Sequence, residues 1–127
     1  MRGAQGGAMA LRSYKELVVW QKAMDLLVEV YRVTGRYPAE ERFGLAAHTR
    51  RTAVSMPSNI AEGYARRHRA EYVRQVDIAY ASAAEFETQL IAAARMEFMD
   101  SAQKQIFERH SEVERMLASL RRKLAKP

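Results

Sequence analysis

The 127-residue sequence contains no cysteine. That absence excludes disulfides, thiolate nucleophiles and thiolate metal ligands, and leaves the redox compartment unreadable. Proline occurs only at Pro38, Pro57 and Pro127, so long stretches carry no helix breaker. No apolar run approaches the roughly 20 residues of a membrane span. No Gly-rich phosphate loop, nucleophile elbow or HExxH pattern is present. The histidines, His48, His68 and His110, fall on different segments without metal-ligand spacing. Acid pairs such as Glu40–Glu41 and Glu85–Glu87 suit helix starts and solvated faces. These absences argue against an enzyme, and the sequence predicts neither a cofactor nor a metal site. The opening Met1–Ala8 has no apolar signal core, so residues 1–12 read as a disordered tail, with Met9 an alternative start. A cytoplasmic protein is expected.

What is present is helical periodicity, and the expected fold class is all-α. One domain over residues 13–127 forms an antiparallel up-down four-helix bundle. Ser13 and Glu16 have capping-box spacing and start a helix that runs to about Thr34 and stops at Gly35. A second helix opens after Pro38, with Glu40 and Glu41 in its first turn, and ends near Ala65. The third spans roughly Ala70 to Phe98; the fourth starts at the Asp100/Gln103 box and reaches Leu124. Core stripes follow from 3.6-residue spacing. They are Leu45, Thr49, Ala53, Met56, Ile60 and Tyr64 in the second helix, and Tyr72, Val76, Ala79, Ala83, Phe86 and Leu90 in the third. The fourth contributes Ile106, His110, Val113, Leu117, Leu120 and Leu124, with His110 read as a satisfied core histidine.

Pro57 leaves the carbonyl of Ala53 without an amide partner, so a kink is expected in the second helix. Asn59 is placed to hydrogen-bond a freed carbonyl, and Gly63 to admit a neighbouring backbone. Arg51, Ser55 and Glu62 fall opposite the core stripe, where an Arg–Glu brace, within or between subunits, is expected rather than a ligand site.

The first helix carries more apolar surface than one core needs. Its polar residues occupy one wedge, leaving an apolar arc of about 220° where about 100° suffices. The third helix has a second apolar stripe, Val73, Tyr80, Ala84 and Ile91. A homo-oligomer is therefore expected, with Leu17, Trp20, Val30, Tyr31, Val73, Tyr80 and Ile91 at its interface. Trp20, Tyr31, Tyr72, Tyr80 and Phe86 all fit core or interface spacing, so no base-stacking platform is expected.

The formal charge is +6, with a pI near 9.9, and it is unevenly spread. Residues 66–74 carry +3 and residues 101–127 carry +4, whereas residues 75–100 carry −4. Arg66, Arg67, Arg69 and Arg74 crowd the turn between the second and third helices. Lys104, Arg115, Arg122 and Lys126 lie opposite the core stripe of the fourth. Such cations neutralise phosphates without reading sequence, which makes RNA or DNA the expected partner. A solvated face interrupted by Glu108, Glu112 and Glu114 competes with that reading.

Four stretches together carry a resemblance. They are Tyr14–Ala23, Pro38–Leu45, Arg50–Gly63 (which includes Ser55-Met56-Pro57-Ser58-Asn59-Ile60-Ala61-Glu62-Gly63) and Ala81–Leu90. In order and spacing they resemble the four-helix bundle proteins encoded in intervening sequences of bacterial large-subunit ribosomal RNA genes. That family is similar to the accessory variability determinant proteins of diversity-generating retroelements. The resemblance covers roughly residues 13 to 120, and implies an up-down bundle assembling as a ring-like homopentamer with a basic surface. In the retroelement relatives it further implies binding to a reverse transcriptase and to nucleic acid. The Ser55–Gly63 segment and Arg50–Arg51 match the family motif and are family-wide features, with Pro57, Asn59 and Gly63 expected to be structural. The expected function is a non-catalytic homo-oligomeric adaptor for nucleic acid. A protein-interaction module with an acidic partner is the alternative.

Overall fold

The computed structural model describes residues 13–66 and 68–126; the tail expected over residues 1–12 lies outside them. The described chain forms α1 (Val18–Thr34), α2 (Leu45–Ala65), α3 (Arg69–Arg95) and α4 (Gln105–Ala125), with no strand. Each helix packs on its neighbour in sequence, and α1 closes on α4. Paired residues run in opposite senses: Ser55 meets Ser82 while Gly63 meets Gln75, and Lys22 meets Glu112 while Glu29 meets Arg109. The result is the four-helix bundle expected from the periodicity.

The helix starts differ from expectation, for local reasons. Ser13 Oγ accepts the Lys15 amide at 3.0 Å, which starts a 3-10 turn over Tyr14–Glu16. Leu17 is then extended, so α1 begins at Val18 and not at Ser13. After Pro38 another 3-10 turn, Ala39–Glu41, precedes Gly44, whose backbone lies outside the helical region. Glu41 then caps α2 from outside, its Oε1 accepting the Leu45 amide at 3.1 Å. The Asp100/Gln103 box forms reciprocally, with both backbone-to-side-chain bonds at 2.9 Å. It heads a 3-10 turn, Ala102–Lys104, that leads into α4.

The end of α3 is the clearest departure. It stops at Arg95, not near Phe98, because Glu97 turns left-handed at φ 63°. The Phe98 amide reaches back to the Ala93 carbonyl at 2.9 Å and the Glu97 amide to Ala94 at 3.1 Å. This is a Schellman stop built without glycine.

The expected stripes supply the core. Ala53, Met56, Ile60, Val76, Ala79, Ala83, Phe86, Leu90, Ile106, Val113 and Leu117 are all buried, and Leu45, Tyr72, Leu120 and Leu124 pack against them. Pro57 is buried inside α2, which runs as helix from Leu45 through it to Ala65. Asn59 Nδ2 donates to the Ser55 carbonyl at 2.7 Å and to Ser55 Oγ at 3.0 Å. The carbonyl it serves is therefore that of Ser55, one turn back, and not the Ala53 carbonyl freed by the proline. Gly63 sits where α2 and α3 approach closely: a Cβ there would lie 2.9 Å from Gln75 Cβ and 3.0 Å from Tyr72 Cδ1.

Candidate binding surfaces

Arg69 ties the α2–α3 turn to the end of α4. Its Nε donates to the Leu124 carbonyl at 2.7 Å, and Nη2 donates to the carbonyls of Lys123, at 3.3 Å, and Lys126. Those carbonyls have no partner within their own helix, and a cation there also opposes the negative end of the helix dipole. One consequence is a correction: Arg69, expected to engage phosphate, is committed to capping α4. The other is that two cationic segments distant in sequence meet at one end of the bundle. Arg74, Arg122 and Lys126 are exposed there. Arg66 is exposed too but shares its guanidinium with Glu62 at 3.0 Å and Glu71 at 3.8 Å. Arg67 lies outside the described residues.

The remaining expected phosphate ligands are elsewhere. Lys104 is at the opposite end of α4, about 27 Å from Arg122 at 1.5 Å per residue. Arg115 lies partway between and donates to Ser111 Oγ at 2.7 Å. Other cations of α4 brace helices: Arg109 pairs with Glu29 at 2.7 Å, and Arg121 pairs with Asp77 at 2.5 Å while stacking 4.4 Å above Tyr80. The expected basic face of α4 is thus spread along the helix, from Lys104 at one end to Arg122 and Lys126 at the other.

A second surface escaped the sequence reading. Tyr31, Arg42, Phe43, Ala47, Arg50, Arg51, Val54, Ser55 and Ser58 line an open groove of about 750 Å³ between α1 and α2. Phe43 is 86% exposed, with the Arg42 guanidinium 5.8 Å from its ring centre. Arg50 lies 4.6 Å above Tyr31, held there by a 2.8 Å bond to Thr34 Oγ1. Thr34 in turn donates to the Val30 carbonyl at 2.6 Å. The groove thus exposes two aromatic rings, Phe43 and Tyr31. Phe43 was invisible to helical periodicity because it sits in a turn, although a large aromatic flanked by Arg42 and Gly44 is itself a signal for a binding loop.

Within the chain, Arg51 and Glu62 do not pair. Arg51 Nη2 donates to His48 Nδ1 at 2.6 Å, and Glu62 belongs to Arg66. Ser55 faces Ser82 of α3 at 2.8 Å. Among the expected interface residues, Tyr31 and Ile91 are exposed, and Leu17, Trp20, Val73 and Tyr80 are half-buried. Val30 is corrected to the protein's own core, where it is completely buried. A periodicity argument counts apolar arc but cannot say which part of it the neighbouring helices cover.

His110 departs from its reading as a satisfied core histidine. It is buried in the core, yet neither ring nitrogen has a hydrogen-bond partner. One carboxylate oxygen each from Glu87 and Glu114 and a His110 ring nitrogen lie within 4.8 Å of one another.

Fold and surfaces define a small up-down four-helix bundle protein. No helix among the described residues is long and apolar enough to cross a membrane. Residues 15–119 match the model of the 23S rRNA-intervening sequence protein family, and the chain belongs to that family. A crystal structure of a protein of unknown function from the S23 ribosomal protein family, from Bacteroides thetaiotaomicron, superposes with a TM-score of 0.75 at 23% identity. The match covers 81% of this chain and 97% of that one, and it shows a shared fold. No curated protein matches the chain.

Proposed function

We propose that this protein is a non-catalytic, homo-oligomeric adaptor that binds nucleic-acid phosphates through the cationic end of its bundle. The observation carrying this reading is the junction made by Arg69, which joins the start of α3, with exposed Arg74, to the end of α4, with exposed Arg122 and Lys126. Cations brought together without enough acids to neutralise them gain from a polyanion, and phosphate contacts of this kind position a strand without reading its bases.

The apolar surface supports assembly. In a bundle whose helices follow one another around the core, the α1/α2 side lies opposite the α3/α4 side. Tyr31 and Phe43 mark the first, and Val73, Tyr80 and Ile91 mark the second, next to Arg121 of α4. Two unlike apolar faces on opposite sides suit head-to-tail contact, which closes as a ring if the rotation allows. The resemblance to retroelement accessory proteins suggests a pentamer, and a reverse transcriptase as a further partner.

The test is fluorescence anisotropy with labelled single-stranded RNA and duplex DNA across a salt series. The expected result is a log–log salt slope of roughly −0.7 to −0.9 per phosphate neutralised, reduced by about two to three units in Arg74→Glu/Arg122→Glu/Lys126→Glu. Affinity unmoved by salt, or by the triple substitution, overturns the reading.

The arginine–aromatic groove favours a second reading, a protein-interaction module that takes an acidic segment with an apolar anchor. On that reading, Arg42→Glu/Phe43→Ala releases a co-purifying acidic protein and leaves anisotropy with RNA unchanged.

A further inference from the structure

His110 occupies the inner face of α4 between Ile106 and Val113, only 1% exposed. Its ring packs on Phe86 at a centroid distance of 5.0 Å. Buried polar groups nearly always find a partner, because an unpaired one keeps its full desolvation cost. Neither Nδ1 nor Nε2 of His110 has one. A ring nitrogen with no partner keeps a lone pair that nothing in the fold uses.

The surroundings supply what a cation needs. Glu114 stands one helical turn beyond His110 on α4, and Glu87 reaches the same point from α3; one donor atom from each of the three residues falls within 4.8 Å of the others. No described lysine or arginine forms an ion pair with either carboxylate. Two carboxylates beside a buried imidazole make an acidic site with one unpartnered ring nitrogen among its donors. Bundles build metal centres in this way, from side chains on facing helices.

We propose that Glu87, His110 and Glu114 form a divalent metal site, with zinc the best match. One imidazole nitrogen and two carboxylate oxygens suit a borderline cation, whereas magnesium and calcium favour all-oxygen sites. Three protein ligands leave the fourth tetrahedral position to water. Tetrahedral ligands about 2.1 Å from zinc lie about 3.4 Å from one another. The three donors need draw together only on the order of 1 Å, which glutamate side chains accomplish by rotamer change. The metal joins α3 to α4 and gives the buried nitrogen its partner.

The experiment is calorimetric titration of zinc chloride into chelator-treated full-length protein, with cobalt absorption as a second readout. The expected result is one zinc per chain, retained in His48→Ala/His68→Ala, which removes the exposed imidazoles. In Glu87→Gln/Glu114→Gln, whose substitutions leave the core intact, zinc affinity falls by more than the ~10-fold that even an outer ligand contact is worth. That variant also loses the visible cobalt band. Zinc affinity unchanged in Glu87→Gln/Glu114→Gln, or abolished in His48→Ala/His68→Ala, overturns the proposal, as does a wild-type protein that takes up no zinc.

Discussion

At the scale of single residues, burial and chemistry conflict most at His110. Its pKa in the folded protein lies below the ordinary 6.5 because burial penalises the charged ring. The unfolded chain therefore binds the proton more tightly, and acid favours unfolding. The stability of the neutral form is present above pH about 6.5 and is lost as pH falls below that value toward the folded-state pKa. The thermal midpoint of chelated protein is expected to drop on acidification across this window, and to drop less in His110→Leu. An equal slope in both proteins would assign the acid sensitivity to other groups. Glu97 is a second case. An L-residue in the left-handed region gives up about 1–2 kcal/mol. Glu97→Gly is therefore expected to raise stability by about 1 kcal/mol in urea denaturation, opposite to the usual effect of a new glycine. Tyr37 presents the reverse problem: its hydroxyl is buried without a partner, and burial pushes its pKa up to about 12. Removing that hydroxyl in Tyr37→Phe is expected to cost nothing or to stabilise slightly, by under about 1 kcal/mol.

At the scale of elements, the helix–helix approach at Gly63 gives the sharpest expectation. Alanine has the better helix propensity by about 1 kcal/mol. The added methyl, however, must enter space 2.9 Å from Gln75 Cβ and 3.3 Å from the Tyr72 carbonyl oxygen. Overpacking of this kind costs about 1–3 kcal/mol, so Gly63→Ala is expected to be net destabilising. Chemical denaturation showing a more stable variant would mean that α2 and α3 separate easily. The sequence placed this close approach correctly, because a glycine kept inside an amphipathic helix has few other uses. It also placed the Asp100/Gln103 box, whose two bonds depend on spacing alone. It misplaced the end of α3, because the residue that stops the helix is a glutamate, and composition carries no trace of a left-handed turn there. It missed the capping of α4 by Arg69 for a different reason: the two partners are more than fifty residues apart.

At the scale of the whole molecule, the proposed assembly rests on the apolar surface left outside the core. Tyr31 of α1 and Ile91 of α3 are 49% and 40% exposed. If these faces meet between subunits, Tyr31→Glu and Ile91→Glu each convert the oligomer to monomer in light scattering coupled to gel filtration. Wild-type protein is expected to elute as the oligomer. A monomeric wild type would leave the basic end as a single-copy surface, and reduce its expected affinity for nucleic acid accordingly.

The linear sequence by itself determined the helix count, the inward stripes, the positive charge and the family resemblance. Each depends on residue type and short-range spacing, and an α-helix converts spacing into a face within a few residues. Only the tertiary structure decided which of those faces is covered. It moved Val30 into the core, spent Arg69 on a helix end, exposed Phe43 beside three arginines and set Glu87 next to His110. All four outcomes depend on where separate helices and turns come to lie. That is set by packing of the whole core, and no local pattern encodes it.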